Sequence, residues 1–391
     1  MKRLGIHVVA MFLMIAPATA RGDEPKFVPH RIGHFRSETL AAADFNNDGK
    51  PDVVAGELLY LAPDFRPTKI RTLKGEVDEQ GKGYRWDFMN EALDVDGDGK
   101  LDVVACDWFQ KHATWYRNVG TAAAAGEWPE ALIEANGNFE CGQLADVDGD
   151  GKAEEVVPSV QRTVWYERVR DPAGKAGFAV HVVSDKLYDY GVGVGDVNGD
   201  GRPDFIRPGA WYEAPADPRH GTWTEHPLLL GDREQKVAQH TPQIFVIDVN
   251  GDGLKDLITS SAHRYGIFWY EQVRTGNAIS FKQHLIDDSW TQAHSLALGD
   301  LDGDGVPELI TGKRFMAHNG GDPEEDKPLG VYYYTHTRGP NPTWTRHAIS
   351  QDAGIGSGLN IPVLDMDGDG DLDLVVTGKW GGPVWFENRS R

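Results

Sequence analysis

One nine-residue pattern occurs seven times along the chain, and it constrains the fold more than any other feature. The pattern is Asp-x-Asp/Asn-x-Asp-Gly-x-x-Asp/Glu, and it begins at Asp44, Asp94, Asp146, Asp196, Asp248, Asp300 and Asp365. Successive starts are separated by 50, 52, 50, 52, 52 and 65 residues. Such regular spacing indicates a repeat architecture in which each unit packs against its neighbours.

Other elements recur in phase with this loop. Each loop is followed by an apolar pair, six of the seven then by an aromatic pair, and several by an aromatic residue with a His three positions later. Examples are Val103-Val104 and Leu309-Ile310, then Trp115-Tyr116, Trp165-Tyr166 and Tyr332-Tyr333, then Phe178/His181 and Trp223/His226. Four short strands in a unit of this length are typical of a propeller blade. The sequence therefore predicts an all-β, seven-bladed β-propeller.

The last unit lacks its fourth strand, and residues 25–33 match the missing element ahead of the first loop. We expect this N-terminal strand to complete the seventh blade, because pairing removes two open sheet edges. Residues 21–391 would then form one propeller domain. The extra residues of the longest spacing fall in 315–329, which we interpret as a lid-like insertion or as a plain surface insertion.

Residues 1–20 have the features of a secretory signal. Lys2 and Arg3 precede an apolar run too short to span a bilayer, and Ala18-Thr19-Ala20 is a small-residue cleavage site. We expect cleavage after Ala20 and a secreted or periplasmic protein without a membrane span. A net charge of −21 argues against nucleic acid as a partner.

The seven loops, such as Asp44-Phe-Asn46-Asn-Asp48-Gly49, resemble the FG-GAP (VCBS-type) repeats of integrin α-chain propellers and many secreted bacterial proteins. The spacing also resembles the first half of an EF-hand loop, with a closing acid at position nine instead of twelve. Oxygen ligands held on a tight turn suit Ca²⁺. Of the 60 acids in the chain, 25 occupy ligand positions, and the 35 others nearly balance the 37 bases left after residue 20. We therefore expect up to seven structural calcium ions.

The predicted calcium ligands are the first, third, fifth and ninth residues of each loop. They are Asp44, Asn46, Asp48 and Asp52; Asp94, Asp96, Asp98 and Asp102; Asp146, Asp148, Asp150 and Glu154; Asp196, Asn198, Asp200 and Asp204; Asp248, Asn250, Asp252 and Asp256; Asp300, Asp302, Asp304 and Glu308; and Asp365, Asp367, Asp369 and Asp373.

Strand direction predicts where other chemistry lies. Each loop joins an innermost strand to the second strand, so the opposite ends of these strands meet on the other face around the channel. The predicted catalytic residues of this rim are His240, His263, His294, Arg264, Tyr265, Lys313, Arg314 and His318. The predicted substrate-binding residues are Trp86, Trp108, Tyr190, Trp290, Gln292, Asn360, Lys379 and Trp380. By contrast, His30, His181, His226, His284 and His347 occupy repeat positions and are expected to be structural.

Two stretches, 288–294 and 312–319, are similar to the propeller of aldos-2-ulose dehydratase-like proteins, which implies sugar dehydration. Such a β-elimination needs a base, a cation for the enolate and an acid for the departing oxygen. We assign His294 or His240 as base, Tyr265 or His263 as acid, and Arg264 with Lys313 as the electrostatic clamp. The sequence leans towards a carbon–oxygen lyase of the dehydratase or polysaccharide-lyase type, with carbohydrate as partner. A non-catalytic propeller that binds glycans or proteins or serves in adhesion is the alternative, and a Cys106–Cys141 disulfide is left open.

Overall fold

The structure is a computed structural model that describes residues 24–122, 126–231 and 240–390. The expected signal peptide, residues 1–20, lies outside this range. The described chain forms seven antiparallel sheets of four strands and one separate two-stranded hairpin, and it contains no helix. The fold is therefore an all-β, seven-bladed propeller, as predicted.

Each of the first six blades runs in chain order from its innermost to its outermost strand. The strands of blades 1 to 3 and of the hairpin are β2 (Leu40–Ala43), β3 (Asp52–Ala55), β4 (Leu58–Leu61) and β5 (Arg66–Lys69); the hairpin β6 (Gly75–Val77) and β7 (Gly83–Arg85); β8 (Met89–Leu93), β9 (Asp102–Cys106), β10 (His112–Tyr116) and β11 (Glu130–Ala135); and β12 (Gly142–Ala145), β13 (Glu155–Pro158), β14 (Thr163–Arg170) and β15 (Ala176–Ser184).

Blades 4 to 6 repeat this arrangement. Their strands are β16 (Gly193–Gly195), β17 (Asp204–Arg207), β18 (Ala210–Glu213) and β19 (Thr224–Pro227); β20 (Phe245–Ile247), β21 (Asp256–Ser260), β22 (Tyr265–Thr275) and β23 (Ala278–Thr291); and β24 (Ala293–Gly299), β25 (Glu308–Lys313), β26 (Gly330–His336) and β27 (Trp344–Gln351).

The seventh blade combines both ends of the described chain. It consists of β28 (Val363–Leu364), β29 (Asp373–Val376), β30 (Gly382–Asn388) and, as its outermost strand, β1 (Phe27–Phe35). Strand β1 pairs antiparallel with β30, from Phe27 opposite Asn388 to Phe35 opposite Gly382. The N-terminal strand therefore occupies the edge that would otherwise end the sheet.

The repeat-position histidines are packed on the aromatic residue of the third strand. In blades 3, 4, 5 and 7 the partner is Trp165, Trp211, Trp269 or Trp385, with ring centroids 4.0 to 4.6 Å apart. In blade 6, His347 stacks on Tyr333, so Tyr333-Tyr334 is the equivalent pair and the predicted Tyr332-Tyr333 is one residue out of register. Each of these histidines belongs to the blade scaffold.

The apolar core lies between blades. Seven clusters of buried side chains in the described chain each join residues of two neighbouring blades; Val104 of blade 2, for example, packs with Val156 of blade 3. The innermost strands leave an axial channel with a volume of about 470 Å³. Stability is therefore distributed around the ring, as in other repeat proteins.

The acidic loops share one hydrogen-bond pattern. In all seven, the first Asp accepts the amide of the sixth-position Gly at 2.8 to 3.1 Å. These glycines have φ between 85° and 95°, a conformation that side chains disfavour. They are Gly49, Gly99, Gly151, Gly201, Gly253, Gly305 and Gly370. The glycine of the motif is therefore required by the turn itself.

No helix in the described part of the chain is long and apolar enough to cross a membrane.

Candidate functional site

Three predicted rim histidines converge on one carboxylate. His240 precedes β20, His263 lies in the turn after β21, His294 lies near the start of β24, and Glu140 precedes β12. One ligand atom from each of these four residues lies within 4.8 Å of the others. We call Glu140, His240, His263 and His294 the rim cluster.

The geometry of the rim cluster centres on Glu140. Its Oε1 lies 3.1 Å from Nε2 of His294, and its Oε2 contacts Nε2 of His240. The rings of His263 and His294 are 4.7 Å apart, and those of His240 and His263 are 4.6 Å apart. Nδ1 of His294 is buried and has no hydrogen-bond partner among the described residues. Three imidazoles and a carboxylate thus face one small volume.

Burial keeps the cluster in a form suited to metal binding. Desolvation lowers the pKa of His263 to about 3. Desolvation, together with the charge of Arg314, lowers that of His294 to about 4. Although burial opposes it, the adjacent His240 and His294 hold the pKa of Glu140 well below its ordinary value. Neutral imidazoles and an ionised carboxylate are the protonation states that coordinate cations.

Gln292 connects the backbone segments that carry His263, His294 and Arg314. It is fully buried and has a φ of 67°, an uncommon conformation for a residue other than glycine. Its carbonyl accepts the amides of His294 and Arg314, at 2.8 and 2.9 Å. Its side-chain Nε2 donates to the carbonyl of His263 at 3.0 Å. The predicted substrate-binding Gln292 therefore lies beneath the histidines as a scaffold residue.

The predicted cations are mostly engaged inside the protein. Arg314 is 2% exposed and forms a two-bonded ion pair with Glu38, at 2.7 and 3.1 Å. Lys313 is buried and donates to Thr291 Oγ1 at 3.1 Å. Arg264 is exposed. The two predicted cations of the clamp therefore have different environments: the ammonium group of Lys313 is bonded to Thr291 inside the protein, whereas Arg264 is exposed.

The predicted aromatic residues divide into two groups. Tyr190 stacks on His240 with centroids 5.0 Å apart, and the partly exposed Trp108 lies 4.7 Å from Tyr190. By contrast, Trp290 donates to Tyr334 Oη at 3.0 Å within the core between blades 5 and 6. Trp86 stacks on Phe109, and Trp380 packs in the core between blades 6 and 7. Trp108 and Tyr190 alone of these adjoin the rim cluster.

Two other predicted binding residues are structural. Asn360 exchanges hydrogen bonds with the backbone of Leu40, at 2.7 and 3.1 Å, and so ties blade 7 to blade 1. Lys379 is buried and donates to the carbonyl of Met316 at 2.8 Å. Tyr265, by contrast, is 43% exposed near the rim.

His318 occupies the exposed side of the site. Its ring stacks on that of His263 with centroids 4.3 Å apart, and its side chain is 52% exposed. Asp322 Oδ2 lies 2.8 Å from His318 Nδ1 and 3.1 Å from His263 Nδ1. Glu38, Glu140 and Asp322 are not among the site residues selected from the sequence. Glu140 and Glu38 directly precede innermost strands, at rim positions that strand direction predicts, whereas Asp322 is an acid of the insertion.

The acidic loops have a second set of contacts that sequence reasoning missed. In every loop, the closing carboxylate accepts the amide of the residue after the first Asp, at 2.7 to 3.2 Å. In the third loop this carboxylate is Glu155, whereas the predicted ligand Glu154 instead contacts Arg168. Glu155 also groups with Asp146 and Asp148, so it replaces Glu154 as the closing acid. A one-residue extension of this loop accounts for the shift.

Repeat models of known families match the acidic loops. An FG-GAP-like repeat matches residues 94–157 and 248–311, and an FG-GAP repeat matches residues 38–60. Three segments of the propeller therefore match FG-GAP-type repeats. Cys106 and Cys141 are both buried and free.

Solved structures similar to this propeller include two of different kinds. An Agrocybe aegerita lectin that recognises non-reducing terminal N-acetylglucosamine is 16% identical, with a TM-score of 0.47 over 94% of this chain and 86% of the lectin. BBS1N, solved in complex with ARL6DN, is 11% identical, with a TM-score of 0.46 over 95% of this chain and 98% of that one. No curated protein matches the sequence. The function must therefore be argued from the residues of the propeller itself.

Proposed function

We propose that the rim cluster binds one divalent transition-metal ion and that the protein acts as a carbon–oxygen lyase on a neutral keto-sugar. The observation that carries this proposal is the convergence of Glu140, His240, His263 and His294, whose ligand atoms lie within 4.8 Å of one another. Glu140 contacts His240, His294 and, at 3.5 Å, Nη1 of Arg314, whereas Nδ1 of His294 is buried without a hydrogen-bond partner among the described residues. A buried nitrogen without a partner is costly unless it binds something, and a metal ion would bind lone pairs of the converging imidazoles.

The types of ligand limit which metal ions the rim cluster can bind. Three imidazoles with one carboxylate suit Zn²⁺ and the neighbouring first-row divalent ions, whereas Ca²⁺ and Mg²⁺ prefer oxygen ligands. A tetrahedral Zn²⁺ site is closed by four protein ligands, so a position for substrate requires an ion that accepts a fifth or sixth ligand. Bound there, it would polarise a sugar carbonyl and make the adjacent C–H group more acidic.

His318 is the best-placed proton carrier. Its exposed ring adjoins His263, and Asp322 lies beside Nδ1, which leaves Nε2 directed away from that carboxylate. In the proposed elimination, Nε2 of His318 takes the proton next to the carbonyl. The C–H electron pair forms the new C=C bond, and the hydroxyl at the next carbon takes the proton now held by His318 and departs with its bonding electrons as water. This assigns His240, His263 and His294 as ligands instead of as base or acid.

The charge distribution favours a neutral sugar over a polyuronate. Arg314 is paired with Glu38, and Lys313 and Lys379 are buried, so these three cations are not presented to a ligand. Of the cations predicted at the rim, Arg264 is exposed. Binding a chain of uronate carboxylates usually requires several accessible cations. The aromatic face of Trp108, next to Tyr190 and His240, instead suits the apolar face of a sugar ring.

The test combines metal analysis with an elimination assay. The mature protein is purified without chelator, its metal content is measured, and it is incubated with keto-sugars, anhydro-sugars and uronate polysaccharides. We expect about one transition-metal ion per chain and new ultraviolet absorbance with a keto-sugar. His294→Ala should abolish both. His226→Ala, which alters an imidazole stacked on Trp211 in an outer strand, should alter neither.

A wild-type protein that binds no transition metal would contradict the proposal. So would full turnover in His294→Ala. Turnover on polyuronates alone would overturn the neutral-sugar assignment.

A glycan-binding propeller without turnover is the second candidate. The partly exposed Trp108, whose ring lies tilted against that of Tyr190 at 4.7 Å, supports it. This candidate expects sugar binding that Trp108→Ala removes and His294→Ala leaves intact, with no new absorbance from any substrate.

We also propose that the seven acidic loops bind structural calcium and that the protein is secreted after removal of residues 1–20. In the second loop, one oxygen each of Asp94, Asp96 and Asp102 lies within 4.8 Å of the others. The third and sixth loops show comparable groups. Oxygen donors at this spacing fit Ca²⁺, and neutralisation of the clustered carboxylates would stabilise each turn.

A further inference from the structure

The insertion between β25 and β26 lies beside the rim cluster and is held by hydrogen bonds from other parts of the propeller. Lys379 Nζ donates to the carbonyl of Met316 at 2.8 Å, and Tyr84 Oη donates to that of Ala317. From the hairpin, the amide of Gly83 donates to Asn319 Oδ1 at 2.8 Å. These contacts come from blade 7 and from the β6–β7 hairpin, on both sides of the insertion. The segment predicted to be a lid is thus anchored at several points.

The insertion places one carboxylate, that of Asp322, next to the rim cluster. Asp322 Oδ2 lies 3.1 Å from Nδ1 of His263, 2.8 Å from Nδ1 of His318 and 3.3 Å from Nε2 of Gln292. The next residue, Pro323, accepts a hydrogen bond from Thr291 Oγ1 at 2.9 Å. Oδ2 of Asp322 therefore accepts a hydrogen bond from Gln292 and lies within ion-pair distance of Nδ1 of both His263 and His318, and the neighbouring Pro323 is bonded to Thr291.

We infer that Asp322 is the positioning residue of the metal centre: it fixes His263 as the Nδ1–H tautomer, so that Nε2 is the ligand, and it orients His318 in the same way. This inference rests on the metal centre proposed above. Its basis is that an ionised carboxylate only accepts hydrogen bonds, whereas a neutral imidazole carries one proton. The proton of His263 therefore lies on Nδ1, facing Asp322, and the lone pair lies on Nε2.

The arrangement gives the insertion a chemical role. A carboxylate behind a ligating His raises the basicity of the ligand and fixes the ring orientation. Here the same oxygen also serves the exposed His318, so one residue aligns both a ligand and the proposed proton carrier. All four members of the rim cluster come from blades 3, 5 and 6 and their connections. The insertion adds Asp322 to them.

The first test uses Asp322→Asn, with Asp326→Asn as the matched control, because Asp326 is an exposed acid of the same insertion. The affinity for Zn²⁺ is measured by competition with a chromophoric chelator, and Co²⁺-loaded protein is compared by visible absorption. We expect Asp322→Asn to weaken Zn²⁺ binding by about 10- to 100-fold and to change the Co²⁺ spectrum. Asp326→Asn should match wild type in both.

The outcomes separate the two proposals. If wild type binds no Zn²⁺, the metal centre itself fails. If wild type binds Zn²⁺ and Asp322→Asn binds it equally with an unchanged Co²⁺ spectrum, the positioning role is overturned and the metal centre stands.

A second measurement needs no variant. Nitrogen-15 NMR of histidines in the metal-free wild-type protein reports which ring nitrogen carries the proton. We expect the Nδ1–H tautomer at His263. An Nε2–H tautomer there would overturn the inference even if Asp322→Asn did not fold.

Discussion

The acidic loops and the rim cluster lie at opposite ends of the same innermost and second strands, yet they are built differently. The loops repeat one set of contacts seven times, with the first Asp bonded to the Gly amide in each. The rim cluster occurs once, and its members come from blades 3, 5 and 6 and from their connections. Repetition marks the part of the molecule that builds blades, and its absence marks the part for which we propose a metal centre.

The histidines show the same contrast at the level of one residue type. His226 stacks on Trp211 at 4.0 Å and lies 2.9 Å from Glu213, and equivalent contacts recur in other blades. His294 is fully buried and lies 3.1 Å from Glu140, a contact without a counterpart in the other blades described. The same side chain is thus a packing element in one place and a candidate ligand in another.

The largest expected effect is the loss of thermal stability when calcium is removed from the acidic loops, compared with removal of a transition metal from the rim cluster. EGTA should lower the midpoint of thermal unfolding by about 10 °C or more, because each loop filled at 100 times its Kd adds about 2.7 kcal/mol. A chelator of transition metals that spares calcium, such as 1,10-phenanthroline, should lower it by about 5 °C at most, because it removes one ion. Differential scanning calorimetry measures both, and restored calcium should reverse the first effect.

An unfolding midpoint unchanged by EGTA would show that the loops need no ion. Their own contacts, such as the 2.5 Å ion pair of Arg117 with Asp96, would then suffice.

A second prediction compares how much two acids of the second loop, Asp102 and Asp98, contribute to stability. Asp102 accepts hydrogen bonds from Val95 N, Trp115 Nε1 and Asn118 N, at 3.1, 2.8 and 2.7 Å. Asp102→Ala should lower the free energy of unfolding by about 3 to 4 kcal/mol even without calcium, because buried donors lose their partner. Asp98→Ala, at an exposed loop position, should cost about 1 kcal/mol under the same conditions. Urea unfolding in EGTA at low temperature measures the difference, and equal losses would contradict the role assigned to the closing acid.

The smallest expected effect concerns the channel between the two regions. Glu91 lines this channel, and burial raises its pKa to about 8, whereas an unfolded chain titrates near ~4.3. The folded state therefore favours the protonated form, and stability falls as pH rises from about 4.3 towards 8. Glu91→Gln should raise the free energy of unfolding by about 2 kcal/mol at pH 8.5, after allowance for water in the channel, and should have little effect at pH 4.5.

Urea unfolding at the two pH values measures this effect of Glu91→Gln. The control is Glu76→Gln, which alters an exposed acid of the β6–β7 hairpin and should be neutral at both. A gain that is equal at the two pH values would contradict the titration of Glu91.

The predictable part of the fold was the part encoded locally. The loop motif and the aromatic–His spacing lie within one repeat, so their phase could be read along the chain. Local reading erred where a repeat is irregular: Glu155 replaces Glu154 in a loop one residue longer, and Tyr333 stands where Tyr332 was expected. A shift of one residue moves the side chains of a strand to the opposite face of the sheet, and the pattern within a single repeat does not reveal such a shift.

The candidate site was predicted in part. His240, His263 and His294 were selected because they fall outside the repeat consensus at the correct strand ends, and they do converge. Arg314 and Lys313 were selected on the same grounds but are buried and paired. Position along a strand indicates the face of the propeller, but it does not indicate whether a side chain points to solvent or to a buried carboxylate.

The sequence by itself determined the number of blades, the position of the acidic loops and the strand ends that meet at the rim, because these follow from contacts within one repeat and from strand direction. Tertiary structure alone decided which side chains meet. Glu140 and His294 are separated by more than 150 residues, and Asp322 reaches His263 only because its insertion is anchored by Lys379 and Tyr84. Such contacts depend on how distant blades pack around the axis, and no periodicity in the chain encodes them.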